Sequence, residues 1–338
     1  MPEDYAYWQP RVRGKLGGIL RIIKLQHAPL VEGPALLGAF AVSVPSIREL
    51  LLILAAAFSV HVFGETYNEL VGVRWHANDP VKRPFAAGTV SIREGQVLVL
   101  MGIAGLLLSA YALNFWAFVL SPIAIAITLV YPHLKDKTAA STYVLSSVVA
   151  VAVAGGYVGV CGGKVASFLL LMRGIPYLLA LSGLFFTAYF DEVANMPNVE
   201  LHRSVGIAEF SAVKPASFTL GFMAFNGLTY LLTALVGTLY LSPVAFAFSL
   251  ASAAVWVWAY GLARAKKYGQ AVDRSLLAWF LLVLGVIVSR LLRSLHPPKP
   301  NLGTFLADTI SACEGLFPLG YLAYEISVCK QRQLRGAL

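Results

Sequence analysis

Three short polar clusters interrupt an otherwise apolar chain, and their residue types suit a phosphorylated, metal-bridged ligand. In the first, Asn68 and Glu69 lie where an apolar stretch ends, followed by His76, Asp79, Lys82, Arg83 and Pro84. Amide and carboxylate oxygens suit a hard cation such as Mg²⁺, and Lys82 and Arg83 can hold phosphate oxygens. Without a ligand, the same residues read as headgroup-facing polar groups and ordinary loop charges. In the second cluster, Tyr131 and Lys135 stand four residues apart, which puts them on one helix face. That pair can grip an anion at a membrane boundary, or it can be an interfacial tyrosine beside a snorkelling lysine. In the third, Asp191 and Asn195 are again four apart, with Glu192 adjacent and Arg203 following. Two neighbouring carboxylates at the end of an apolar span are costly against lipid, so they are expected to face a polar cavity; a solvated loop start is the plainer reading.

The elements that must position these clusters are membrane helices. The 338 residues are 58% hydrophobic and 13% charged, with a mean hydropathy of +0.72. A soluble domain carries about 25% charged residues. Apolar blocks approach the roughly 20 residues that a spanning helix needs. They do not alternate, so a barrel is excluded and an all-α polytopic bundle is predicted. Ten candidate spans are expected at about 28–45, 47–67, 95–112, 114–131, 139–160, 165–190, 217–240, 243–263, 275–295 and 303–325, the last carrying Asp308 and Glu314. No repeat or linker divides the chain, so residues 1–338 are expected to form a single transmembrane domain. The N-terminus lacks a short apolar core and a small-residue cleavage site, so the first span is expected to act as the insertion signal. Cys161, Cys313 and Cys329 form no CxxC pair, and no zinc or redox motif is expected.

Basic residues divide unequally between alternate loops. Twenty fall in the tails and the loops after even-numbered spans, against five on the other side, with Arg173 inside a span. This asymmetry predicts cytoplasmic N- and C-termini in a multi-pass protein of a plasma or inner membrane type. Arg290, Arg293 and Lys299 are the discordant charges. The net charge of +9 is explained by these loops, and no basic-aromatic stretch outside them points to nucleic acid. All three polar clusters end even-numbered spans and so share one face. Two acid-bearing helices with lysine and arginine between them form a combination that metal-bridged diphosphate binding needs.

In these motifs the sequence resembles the UbiA superfamily of intramembrane prenyltransferases, over roughly residues 15–295. The family places N-D-x-x-D-x-x-x-D after the second helix, followed by R-P-x-x-x-G. Here Asn68 and Glu69 open the motif, Gly72 and His76 stand at its second and third acid positions, and Arg83, Pro84 and Gly88 follow. The Y-P-x-x-K-x-x-T element is intact from Tyr131 through Lys135 to Thr138. The D-x-x-x-D element reads Asp191 to Asn195. The resemblance implies nine helices around a central cavity, with the 303–325 span as an addition. It implies Mg²⁺ held through Asn68, Glu69 and Asp191, with Asn195 in the catalytic group. It also implies a donor diphosphate met by Lys82, Arg83, Tyr131, Lys135 and Arg203. With so few acids left, one Mg²⁺ ion is expected.

Two functions are therefore expected from different classes. The first is a Mg²⁺-assisted transferase that takes an isoprenoid diphosphate and a hydrophobic acceptor, a quinone-precursor ring or an alcohol. The second is a non-catalytic isoprenoid- or quinone-binding subunit with protein partners in a membrane complex. A transporter would rest on span count alone.

Overall fold

Backbone N–H and C=O groups find no partners in lipid, so a chain this apolar must satisfy them within helices. The computed structural model describes residues 14–76, 84–161 and 175–295. Among these residues the order is α1 Gly14–Ile23, a 3₁₀ segment Leu25–Leu30, α2 Glu32–Val42, α3 Ile47–His76, α4 Ile92–Leu113, α5 Phe115–Val130, α6 Ser141–Cys161, α7 Ile175–Asn195, two short helices α8 Val199–Ser204 and α9 Phe210–Val213, α10 Ala216–Leu241, α11 Pro243–Arg264 and α12 Tyr268–Leu295. Eight of them are long and apolar enough to cross a membrane, and with α2 they form an all-helical polytopic bundle. The expected span at 303–325 lies outside the described residues.

The expected first span at 28–45 is a broken element. Pro29 sits inside the 3₁₀ segment, and α2 runs for 11 residues. At 1.5 Å per residue that is about 16 Å, half of a bilayer core. Both of its ends are held by α12. At the start, Trp279 Nε1 donates to the Pro29 carbonyl at 3.1 Å. At the finish, Arg290 Nε donates to the Phe40 carbonyl at 3.0 Å and its Nη2 to that of Ala41. Those carbonyls belong to the last turn of α2 and have no helical partner. The discordant Arg290 is therefore a cap for a half-length helix rather than a loop charge.

Tight turns at the same end use side chains in the same way. Asn114 separates α4 from α5: its backbone N–H closes α4 on Ala110 and its side chain caps Ala117 of α5. Its Nδ2 also donates to Val158 of α6 at 2.9 Å. Ser242 does the equivalent between α10 and α11, capping Ala245 and bonding Ser289 of α12. The centre is aromatic. Phe186 stacks on Trp279 at 4.9 Å, Tyr189 and Tyr230 pack on Phe186, and Trp256 packs on Tyr189. The hydroxyls of Tyr189 and Tyr230 are bonded to Ser275 and Ser252, as buried hydroxyls must be.

Helices α2 and α6 meet backbone to backbone. A Cβ at Gly38 would collide with the Val153 carbonyl, and one at Gly156 with the Ala35 carbonyl. Small residues permit this approach, and close approach drives helix association in lipid. Gly156→Val should therefore force α2 off α6 and destabilise the fold by about 1–3 kcal/mol, the usual cost of overpacking. Gly221, which faces open space, provides the control. Detergent-resistant melting should drop for Gly156→Val and stay near the parent for Gly221→Ala.

Candidate functional site

The polar clusters converge at the end of the bundle opposite the Asn114 and Ser242 turns. On α3, His61, Glu65 and Glu69 recur every four residues and line one face. That face meets the connection between α1 and α2. Lys24 Nζ lies 2.8 Å from Glu65 Oε2 and 2.9 Å from Glu69 Oε1, so one ammonium bridges both carboxylates. His27 Nδ1 is 3.1 Å from Glu65 Oε1. His61 Nε2 donates to the Ile23 carbonyl at 2.7 Å, which anchors the end of α1. Lys24 holds φ at 52° in the left-handed region, a conformation that lysine adopts only when its surroundings compensate. Asn68 lies half-buried on the same helix, next to the 5%-exposed Glu69. Lys82 and Arg83 lie outside the described residues.

Tyr131 ends α5 and opens a 3₁₀ turn, Tyr131–His133, in which Pro132 stops the α-helix from continuing. The Lys135 ammonium returns over the Tyr131 ring, 5.0 Å from its centre, a cation–π contact. Tyr131 is buried and within electrostatic reach of Glu65, Asp191, Glu192 and Glu209. The turn that it opens packs on α3, where the Tyr67 hydroxyl lies 2.8 Å from His133 Nε2.

The second acidic group belongs to α7 and the loop that follows. Asp191 accepts from Thr142 Oγ1 at 2.9 Å and from Asn195 Nδ2 at 3.2 Å. Glu192 lies 3.3 Å from the same Thr142 hydroxyl and accepts from the Ser211 backbone at 3.0 Å. Thr142 has one proton, so it favours the nearer Asp191. Lys135 lies 3.5 Å from Glu209 Oε1, and its field also reaches Asp191. His202 Nδ1 sits 2.6 Å from Glu209 Oε2, close enough for an ion pair but not aligned as a hydrogen bond. Burial opposes ionisation of Glu209, yet Lys135 and His202 outweigh it and hold its carboxyl below the usual carboxylate range. Arg203 is exposed and donates to the Ala212 carbonyl at 2.7 Å, bracing the loop.

Among α2 to α6 lies a small apolar cleft, with a cavity volume of about 60 Å³. Val31 and Val60 lie at its end nearest His61, and Leu113 and Ala117 lie near the opposite face. Alanine and glycine dominate the walls, so the space follows from small side chains.

The structure thus brings Glu69, Asp191, Asn195, Tyr131 and Lys135 to one end of the bundle. It adds five residues that sequence spacing did not single out for the site: Lys24, Glu65, Thr142, His202 and Glu209. Only Glu65 carried a signal, its four-residue spacing from Glu69. Lys24 and Glu209 arrive through chain reversals that leave no periodic trace. The α7 side fits one hard cation, since Asp191 and Asn195 share a face, are half-buried and offer oxygen. The α3 side does not fit a second, because Glu65 and Glu69 already share an ammonium.

A sequence model of the UbiA prenyltransferase family matches residues 33–287. The 4-hydroxybenzoate octaprenyltransferase of Pseudomonas aeruginosa is 26% identical over 221 residues, covering 64% of this chain and 71% of that protein. Among solved structures, a UbiA homologue from Aeropyrum pernix K1 superposes with a TM-score of 0.72 at 24% identity, over 78% of this chain and 98% of its own. A UbiA homologue from Archaeoglobus fulgidus bound to GPP and Mg²⁺ gives 0.56 at 15% identity, over 79% and 99%.

The Lys135–Glu209–His202 group fastens the loop after α7 to the end of α5. Removing one member of a buried pair costs about 3–5 kcal/mol. Glu209→Ala should therefore speed backbone hydrogen exchange across 202–213 by about 100-fold or more and leave α3 unchanged. Because the Glu209 pKa is depressed on folding, its stabilisation is complete above the ordinary glutamate value of about 4.3 and is lost as pH falls through the lower folded value. Exchange in this loop should accordingly rise on acidification below about pH 4.

Proposed function

Because the chain belongs to the UbiA prenyltransferase family, we propose that it is a membrane enzyme that moves an isoprenyl group from its diphosphate to a lipid-soluble acceptor with the help of one Mg²⁺ ion. The observation that carries this reading is the gathering of Asp191, Asn195, Tyr131 and Lys135 at one end of a bundle that also contains an apolar cleft among α2 to α6. A diphosphate needs charge neutralisation and an isoprenyl chain needs a dry groove, and the bundle offers both. The name of the Pseudomonas relative supports an aromatic, quinone-precursor acceptor; an alcohol is the other acceptor class. The GPP and Mg²⁺ bound to the Archaeoglobus homologue support the donor and the ion.

Among the described residues at this end, the ammoniums of Lys24 and Lys135 are already engaged by Glu65, Glu69 and Glu209. A diphosphate entering here therefore calls for an added cation. Asp191, with Asn195 beside it, would hold that ion, which supplies Lewis-acid neutralisation of the leaving group. Lys135 faces the same space and meets the charge that develops as the bond breaks. The bond from the allylic carbon to the diphosphate oxygen breaks with its electron pair on oxygen. A ring carbon or hydroxyl oxygen of the acceptor then donates the pair that forms the new bond, and the proton it loses passes to the released diphosphate. The aromatic centre and the apolar cleft exclude water that would otherwise capture the cation.

A second reading, a non-catalytic isoprenoid- or quinone-binding subunit with protein partners, is favoured by one observation. Gly72, His76 and Asn195 stand where the resembled motifs carry acids. The protein is an integral membrane protein, and the basic asymmetry of its loops supports placing the polar end in the cytoplasm.

Two measurements test these readings. Purified protein given geranyl diphosphate and 4-hydroxybenzoate or a prenyl-accepting alcohol should form product in Mg²⁺ and none in EDTA. Asp191→Ala should lower turnover by about 10²–10³, the usual cost of losing transition-state charge stabilisation, while Glu69→Asp should retain activity. Lipid binding without turnover in any of these mixtures would select the non-catalytic reading. For orientation, cysteines placed at Lys135 and Lys266 should both resist a membrane-impermeant reagent added outside intact cells, and one at Arg48 should react.

A further inference from the structure

Lys24 is paired with Glu69, the first acid of the resembled motif, and with Glu65 one turn before it. Its ammonium is within 3 Å of a carboxylate oxygen on both Glu65 and Glu69. Those glutamates lie one helical turn apart at the end of α3, beside Asn68. Mg²⁺ binds oxygen at about 2.0–2.1 Å in a near-octahedral shell. An ion joining these two carboxylates would overlap the ammonium, and its two positive charges would repel it at close range. The resembled motif would supply further acids one and two turns on, but this chain has Gly72 and His76 there. The α3 side therefore has fewer acids than the resembled motif and holds a cation of its own, and both differences make it less negative and less able to hold a divalent ion.

The position of Lys24 is strongly determined. The residue turns the chain from α1 into the 3₁₀ segment with a left-handed φ of 52°. Its N–H bonds back to Leu20 at 3.1 Å, and its carbonyl accepts from the His27 N–H at 2.7 Å. His61 fixes the preceding carbonyl, that of Ile23. A strained backbone held on several sides aims the side chain at α3, which is how proteins preorganise a charge. The Lys24 side chain is 23% exposed, so a ligand arriving at the polar end can approach it. The Tyr131 turn packs on α3, where the Tyr67 hydroxyl lies 2.8 Å from His133 Nε2, so the Lys24 cluster and the Asp191 cluster share one end of the bundle.

We propose that Lys24 is a built-in cation that replaces a second metal ion. In this arrangement, its ammonium, bridged by Glu65 and Glu69, meets the donor diphosphate from the α3 side, and a single ion at Asp191 meets it from the α7 side. This assignment rests on the prenyltransferase reading for the identity of the ligand. The exclusion of a metal from Glu65 and Glu69 stands on the ion-pair geometry alone.

Metal stoichiometry tests it without relying on turnover. Mn²⁺ binding to the full-length protein in nanodiscs can be followed by electron paramagnetic resonance, with and without the unreactive geranyl S-thiolodiphosphate. The parent should bind one Mn²⁺ per chain with the thiolodiphosphate. Lys24→Met, which keeps length and removes charge, should bind two, because Glu65, Glu69 and His27 become available to the metal. Lys24→Met should also bind the thiolodiphosphate at least 10-fold more weakly in EDTA, and Lys24→Arg should resemble the parent in both measurements. Two Mn²⁺ ions in the parent would overturn the proposal whatever the variants do. It would equally be overturned if Lys24→Met, folded as judged by its melting temperature, showed the parent's stoichiometry. If the parent binds no thiolodiphosphate under any condition but Lys24→Met gains a Mn²⁺ site, the prenyltransferase reading fails while the placement of Lys24 at a metal position stands.

Discussion

Carboxylates at the end of an apolar bundle must be compensated by something, and how this chain compensates them organises its polar end. Glu65 and Glu69 are drawn to Lys24, and that attraction dictates where α1 and the 3₁₀ segment lie over α3. Glu209 is drawn to Lys135 and His202, and that fixes the loop between α7 and α10. Lys24 and Lys135 each come from a different part of the chain than the acids they serve, while His202 shares the loop of Glu209. The ion pairs are thus the fasteners by which the connecting segments are held across the mouth of the bundle. Buried pairs of this kind add little net stability over an apolar alternative. Their value here is that they leave charge, in a defined geometry, at one end of an apolar bundle.

The opposite end is held by a different device with the same origin. Helix termini in lipid leave carbonyls and N–H groups that no water reaches, so side chains must close them. Asn114 and Ser242 close two pairs of helices in single-residue turns, and Arg290 closes the short helix α2. Because α2 stops halfway, its other half is a proline-bearing 3₁₀ segment rather than a helix. That segment is what carries Lys24 and His27 to α3. A continuous helix in the first position would have carried them along a straight axis instead. The broken helix and the lysine-bridged acids are therefore parts of one arrangement.

Between the two ends, small residues set the spacing. Gly38 and Gly156 let α2 and α6 touch, while alanines along α3, α5 and α6 leave the cleft unfilled. Packing is tight where backbones meet and open where a hydrocarbon chain would lie. The same residue types achieve both, and the difference is whether an opposing helix is close enough to fill the space they leave.

Much of the architecture was legible in the sequence. Long apolar blocks with sparse charge can fold only as membrane helices, and eight of the ten expected spans correspond to the eight long helices found. The four-residue spacings of Tyr131 with Lys135 and of Asp191 with Asn195 indicated shared helix faces, because helical periodicity is a local property. Two things were not legible. The break in the first span depends on Trp279 and Arg290, some 250 positions away, and on those contacts being available in three dimensions. The partners of the acids were equally hidden. Lys24 read as one more positive-inside charge, and Glu209 lay in a loop with no periodicity. Local spacing determines which side chains share a helix face, but only the packing of helices decides which opposite charges come within 3 Å. The charge balance of the site, and with it the number of metal ions it can hold, is for that reason a property of the tertiary structure.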